Sequence, residues 1–444
     1  VRDVVVVGAG IGGLTAARDL AAAGRDVLVL EGSPEVGGKL RRAEVAGVTV
    51  DVGAEAMLAR RPEGVALAAD LGIDVVHPTA AASGVWSRGA LRRLPRTLMG
   101  VPFDLDELAA SGVLSAEGLA RARHEFAGGP PSDDVSVGDL VAERLGDEVV
   151  ERLVEPLLGG VYAGSARRIS TAAAVPQLLA MARRGSLLQQ ASAIVPSDAP
   201  VFAGIAGGMG LLPETLATGL EVRTSTTVRA IERAAGGWRL TVGPTTAPET
   251  ITARGIVLAT PAAPSARLLH AVAPDPAREL GSIESASVAV VTLAFEQAAV
   301  ESLAGRSGFL VPPVEGRAIK ASTFSFAKWD WVREAGDGLA LLRTSLGRHG
   351  EETTLQAPDE ALIATSLAEL SALAGVTSAP VGTHVQRWGG GLPQYAVGHV
   401  DLVARVRAGL PAGIVVCGAA YDGVGIPAVI GSAHRAAAEI ARAE

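Results

Sequence analysis

The chain has 444 residues, with 39 basic and 47 acidic side chains and a formal net charge of −8. A single cysteine, Cys417, excludes an intramolecular disulfide framework, a cysteine zinc site and a cysteine-held iron–sulfur cluster. Acidic balance without long runs of one sign argues against nucleic acid as a main partner, and seven histidines with no H-x-x-x-H pair argue against a helix-borne metal site.

Residues 4–7 form a β-branched run that reads as a buried parallel strand. Gly8 to Gly13 follow, then a helix over 14–23 that Gly24 stops, then a second buried strand over 26–30 ending at Glu31. This βαβ unit has the size of one dinucleotide-binding crossover. Between about 85 and 200 helical patterns dominate, at 115–125, 137–158 and 172–190. Segments 222–228, 238–242, 256–260, 288–295, 309–313, 319–326 and 339–345 read as strands, and 357–373 as a helix. A buried strand over 414–417 and an alanine-rich helix over 430–442 close the chain.

The fold class is therefore α/β in its nucleotide-binding part and α+β overall. We expect a Rossmann-like nucleotide-binding domain in three parts, 1–84, 201–268 and 387–444. A helical insert over 85–200 and a mixed-sheet domain over 269–386 interrupt it. No apolar run reaches the ~18 residues of a membrane span. The strand-like start, which enters a glycine motif at once, does not read as a signal peptide. The default expectation is a soluble cytoplasmic protein. Segment 91–112 mixes apolar residues with Arg92, Arg93 and Arg96, and reads as an ordinary helix-and-loop face in preference to a membrane contact.

Gly8-Ala9-Gly10-Ile11-Gly12-Gly13 fits G-x-G-x-x-G between strand and helix. Its glycines allow a tight turn, close approach of a pyrophosphate, and close helix packing. The helix dipole then faces the phosphates. Glu31, 18 residues after Gly13, stands where a carboxylate accepts bonds from ribose hydroxyls. Gly37-Gly38-Lys39 follows too soon after Glu31 for a helix, and brings one of only three lysines (Lys39, Lys320 and Lys328) beside the phosphates. The turn Asp51–Glu55 and the run Gly418–Pro427 complete a set that points to FAD over NAD.

The chain resembles the flavin-dependent amine oxidase superfamily over its full length, and within it the porphyrinogen oxidases of haem synthesis. The strings that carry the resemblance are 53–62 (GAEAMLARRP), 99–102 (MGVP), 155–164 (EPLLGGVYAG), 207–209 (GGM), 319–324 (IKASTF), 391–395 (GLPQY) and 421–427 (YDGVGIP). The match is especially close to oxidases of coproporphyrinogen III. Two departures from amine oxidases agree with this. The strand 288–295 lacks their flavin-side lysine, and 389–392 lacks the cysteine of covalent flavin attachment, which implies noncovalent FAD. Cys417 reads as a small buried strand residue.

The resemblance implies an FAD site made by Gly8, Gly10, Ile11, Gly12, Gly13, Glu31, Gly32, Gly38, Lys39, Gly53, Ala54, Glu55, Ala56, Met57, Val228, Trp388, Val424, Gly425 and Ile426. Val228 taken alone would simply be core. It also implies a tetracarboxylate porphyrinogen lying against Gly160, with Arg60, Arg61 and Arg88 in segments bordering the cavity. Solvated surface arginine is the ordinary alternative for each of the three. No histidine or paired carboxylate stands out as an obligatory base, and the resemblance implies that the flavin would take hydride from the substrate and that dioxygen would reoxidise it to give peroxide. The alternatives are the same chemistry on protoporphyrinogen IX, a desaturase or amine oxidase, and a non-catalytic porphyrin-binding flavoprotein. Whether a downstream haem-pathway enzyme binds the chain stays open.

Overall fold

The computed structural model describes residues 1–442 except 127, 132 and 196–198. The opening β-branched run forms the strand Arg2–Val7, which takes parallel partners on both sides, Val27–Leu30 and Glu249–Leu258. Glu221–Arg223 and Ile414–Val416 extend the parallel set, and Val228–Ala234 and Gly237–Val242 join Glu249–Leu258 as an antiparallel meander. Side chains alternate along the first strand. Val4 and Val6 pack with the helices Ile11–Ala22 and Ile426–Arg442, and Val5 and Val7 with the helices Ala262–Leu269 and His399–Gly409. Both faces are covered, as a parallel sheet requires.

A second sheet runs in the order Gly382–Pro393, Ser285–Glu296, Leu339–Leu346, Ile319–Phe324, Arg306–Leu310, Ala82–Ser87, Ala90–Arg93. All its pairings are antiparallel except Arg306–Leu310 with Ala82–Ser87. One face is covered by the helix Asp359–Ala374, whose Leu362, Leu370 and Leu373 join the core of that face. The helices between these sheets in sequence form a core of their own around Leu140, Leu153, Leu158 and Leu178.

Several elements differ from the sequence-based expectation. Residues 222–228 form no single strand. The chain turns at Ser225, whose φ is 51°, and Ser225 and Thr226 donate backbone bonds to Ser33 and Glu31. The expected 137–158 helix breaks at Gly146, ending Val137–Leu145, and passes through a widened i→i+5 turn over Val150–Val154 before Glu155–Tyr162. The 172–190 stretch becomes Thr171–Ala174, Pro176–Arg184 and Leu187–Ser192, where Ser170 and Ser186 cap new starts. The expected boundary at 84/85 falls inside Ala82–Ser87, and that at 386/387 falls inside Gly382–Pro393. Both strands belong to the second sheet, so the chain crosses between the sheets before Ala82 and after Pro393.

Candidate active site

A cavity of about 710 Å³ opens at the carboxyl ends of Arg2–Val7 and Val27–Leu30, where Val7 and Leu30 line it. This is where open α/β sheets place ligands. Its first wall is the turn with Gly8, Gly10, Ile11 and Gly12. Glu31, Gly32, Gly38 and Lys39 form the next wall, and Ala54, Val228, Val424 and Ile426 line it further on. The far end reaches Ser285, Gly390, Leu392 and Pro393 of the second sheet. The cavity thus runs from a dinucleotide-binding turn to the junction of the two sheets.

The remaining expected residues support these walls without lining them. Gly13 sits where the helix meets the strand. A Cβ there would lie 1.9 Å from the Gly8 carbonyl oxygen, so only glycine permits this packing. Gly53 and Trp388 meet beside Val52, whose carbonyl accepts from the Trp388 indole at 3.3 Å. Ala56 packs against the apolar cluster that contains Val50 and Trp329, Met57 is buried and pairs with Ala203, and Gly425 accepts the first helical bond from Val429.

The wall chemistry fits a dinucleotide. Glu31 accepts from Ala9 N–H at 2.7 Å, from Ser33 N–H at 2.8 Å and from Ser33 Oγ at 2.9 Å, which leaves one of a carboxylate's about four lone-pair sites for a ribose hydroxyl. Lys39 brings an ammonium to the wall, and burial lowers its pKa from the usual lysine value. A buried cation beside a helix N-terminus suits a pyrophosphate. Sequence reasoning missed Thr226, Thr227, Arg229 and Arg267, which also line the cavity. The turn that places the threonines lies within what the sequence pattern reads as an unbroken strand.

Glu55 faces the second sheet. Its two oxygens accept from Lys328 Nζ at 2.6 Å and Arg343 Nη1 at 2.8 Å, and Arg343 Nη2 reaches the Gly53 carbonyl at 2.5 Å. Burial alone would raise the Glu55 pKa, but the Lys328 and Arg343 charges outweigh it and hold the carboxyl at about 2. This cluster ties the turn beside the cavity to the strand Leu339–Leu346.

Three of the sequence strings meet in space. A Cβ on Gly164 would lie 1.8 Å from Gln394 Oε1, and Gln394 Nε2 donates to the Tyr162 carbonyl at 2.7 Å. The Tyr162 and Tyr395 rings pack at 5.4 Å. Tyr395 Oη then donates to Ala419 O at 2.5 Å and accepts from Gly423 N–H at 2.9 Å, in the loop that borders the cavity. Cys417 lies buried behind Gly12, and burial pushes its thiol up to about 12.

The expected substrate arginines are not brought together. Arg60 is exposed, and Arg61 forms an exposed ion pair with Glu63 at 2.6 Å. Arg88, at a turn with φ of 53°, donates to the Leu114 carbonyl at 2.7 Å. None of the three lines the cavity. Gly160 is exposed on the helix Glu155–Tyr162, with Leu310 of the second sheet as its nearest neighbour. Among the described residues no helix is long and apolar enough to cross a membrane.

Comparison with known proteins places this geometry in a family. Residues 11–441 match the family described as flavin containing amine oxidoreductase. The chain is 39% identical to the coproporphyrinogen III oxidase of Mycobacterium leprae (strain TN), over 99% of each chain. It is 25% identical to the chloroplastic protoporphyrinogen oxidase of Nicotiana tabacum, covering 98% of this chain and 85% of that protein. A crystal structure from Exiguobacterium sp. 255-15, provisionally named a protoporphyrinogen oxidase, superposes with a TM-score of 0.90 at 31% identity, over 100% of this chain and 99% of that one. FAD is the cofactor that the cavity and the family share, and the chain is an oxidoreductase. It belongs to the flavin containing amine oxidoreductase family, among the porphyrinogen oxidases.

Proposed function

We propose that this enzyme oxidises coproporphyrinogen III to coproporphyrin III, consuming three dioxygen molecules and releasing three of hydrogen peroxide. The observation that carries the reading is end-to-end similarity at 39% identity to a coproporphyrinogen III oxidase. The meeting of the 155–164, 391–395 and 421–427 strings beside the cavity supports it. A protoporphyrinogen IX oxidase is the second reading, favoured by the tobacco relative.

FAD, when bound, supplies the hydride acceptor and passes the electrons to dioxygen. The chain binds and orients. Lys39 and the Ile11–Ala22 helix start neutralise the pyrophosphate, and Glu31 holds a ribose. Tyr395 fixes the loop against the flavin end. The exposed Gly160 leaves space for a macrocycle to lie close to the backbone.

FAD is noncovalent in this reading, because the one cysteine is buried with its thiol protonated. Acid precipitation should release all flavin into the supernatant, and yellow colour retained in the pellet contradicts this. The reading also makes the enzyme cytoplasmic, so its recovery in the membrane fraction after lysis would count against it. Anaerobic addition of coproporphyrinogen III should bleach the flavin absorbance, and admission of oxygen should restore it. An unbleached spectrum with an intact substrate refutes the proposal.

A further inference from the structure

The substrate of that reading carries four carboxylates, and none of the arginines expected to meet them lines the cavity: Arg60 is exposed, Arg61 pairs with Glu63, and Arg88 bonds the Leu114 carbonyl. One buried cation of the second sheet has no carboxylate partner among the described residues. Lys320 lies on the strand Ile319–Phe324 at a β-bulge, since Ile319 pairs with Leu346 and Ala321 with Ser345, leaving Lys320 as the extra residue. Bulges of this kind re-aim a side chain beside active sites.

The direction of Lys320 follows from the faces of the neighbouring strand. Thr344 bonds Ser366 at 2.7 Å and so faces the covering helix Asp359–Ala374. Arg343 and Ser345, one residue to either side, project from the opposite face. There Arg343 holds Glu55 and Gly53 beside the flavin cavity. Lys320 Nζ donates to Ser345 Oγ at 2.5 Å, so its ammonium stands on this same face. The helix Glu155–Tyr162 packs over the strands Arg306–Leu310 and Ile319–Phe324 from that side.

Lys320 is 6% exposed, and no carboxylate lies within 4.0 Å of its ammonium among the described residues. An ammonium has three donors, and the one hydrogen bond found for Lys320 goes to Ser345. Its charged neighbour Arg348 donates to the carbonyls of Arg317, Ile319 and Val311, with Glu351 3.7 Å away. A buried cation beside a second cation is costly unless an anion joins them. Burial, with the Arg348 charge adding to it and the Glu351 charge opposing it, lowers the Lys320 pKa to about 7.

We propose that Lys320, oriented by Ser345 and backed by Arg348, receives one carboxylate of the porphyrinogen. The proposal rests on the reading of the substrate given above. It makes Lys320 a determinant of substrate affinity and orientation.

The test uses the FAD-loaded enzyme and two probes, coproporphyrin III and its tetramethyl ester, with binding followed by porphyrin fluorescence. Lys320→Met should weaken coproporphyrin III by about tenfold or more, the loss expected for one charge-assisted hydrogen bond. Ester binding and the flavin absorbance spectrum should stay unchanged. Lys320→Arg should restore most of the affinity, and Ser345→Ala should weaken the acid alone by about two- to fivefold. Ser345→Ala keeps the proposal testable if Lys320→Met does not fold. Equal losses for acid and ester, or unchanged binding in both variants, overturn the role of Lys320. So does a fall in kcat with coproporphyrin affinity intact, which would make Lys320 a proton acceptor. A wild-type enzyme that binds neither porphyrin overturns the substrate reading instead.

Discussion

Glu55 carries two cations on one carboxylate, and its removal leaves both largely buried without the carboxylate that bonds them. Glu55→Gln should therefore cost about 3–5 kcal/mol, the usual penalty for breaking a buried pair on one side, measured as a lowered unfolding midpoint of the holoenzyme. The pH dependence has a definite sign. The folded carboxyl titrates at about 2 against an ordinary 4.5, so its stabilisation is complete above the ordinary value and is lost as pH falls from there to about 2. Wild type should lose stability over that window more steeply than Glu55→Gln, and parallel acid limbs would refute the assignment. Two glycines separate backbone from side-chain constraint. At Gly13 an added Cβ meets the Gly8 carbonyl, which cannot move without opening the turn, so Gly13→Ala should abolish FAD retention. At Gly164 it meets only the end of Gln394. Gly164→Ala should therefore keep FAD and lose about 1–2 kcal/mol through the displaced Gln394 hydrogen bonds. Equal flavin loss in the two variants would contradict the distinction.

At the scale of elements, the sequence shows what is local. The turn from Gly8 to Gly13 lies between a β-branched run and a helix, so strand, turn, helix and Glu31 can be read in one window. The strand Gly382–Pro393 cannot, because Thr383, Gln386, Arg387 and three consecutive glycines read as loop. Its ladder with Ser285–Glu296 makes it a strand, through a bulge between Ala286 and Val288. Pairing across about a hundred residues is invisible to any local pattern. The same holds for Glu55 with Lys328 and Arg343, and for Lys320, whose direction depends on a bulge. Tyr395, which follows that strand, has a role that can be measured. Tyr395→Phe removes the hydroxyl that joins Ala419 O and Gly423 N. Two hydrogen bonds at about 1 kcal/mol each should raise the FAD dissociation constant roughly tenfold or more in a fluorescence titration. An unchanged constant would disconnect the tyrosine from the flavin loop.

Across the whole molecule, the cavity spans both sheets, from Gly10 at one end to Gly390 and Leu392 at the other. A ligand in it joins the two sheets, so FAD should stabilise the fold by mass action. At a hundredfold excess over the dissociation constant the gain is about 2.7 kcal/mol, seen as a higher unfolding temperature that rises further with added FAD. A midpoint insensitive to FAD would contradict a cavity that binds it in the folded state alone. The glycine-rich cofactor half of this arrangement is legible in sequence because phosphate chemistry demands glycine at fixed spacing. The substrate half is not, because apolar walls and single cations leave no spacing to read. Arg60, Arg61 and Arg88 show the consequence, since the fold leaves Arg60 exposed and gives Arg61 and Arg88 other partners. The central claim is the choice of substrate, and the most direct measurement is kcat/KM for coproporphyrinogen III and protoporphyrinogen IX, under oxygen, with porphyrin fluorescence and peroxide followed together. Coproporphyrinogen III should be preferred by about tenfold or more, as one additional charge-assisted pair allows, with three peroxides formed per porphyrin. Faster turnover of protoporphyrinogen IX would contradict the account.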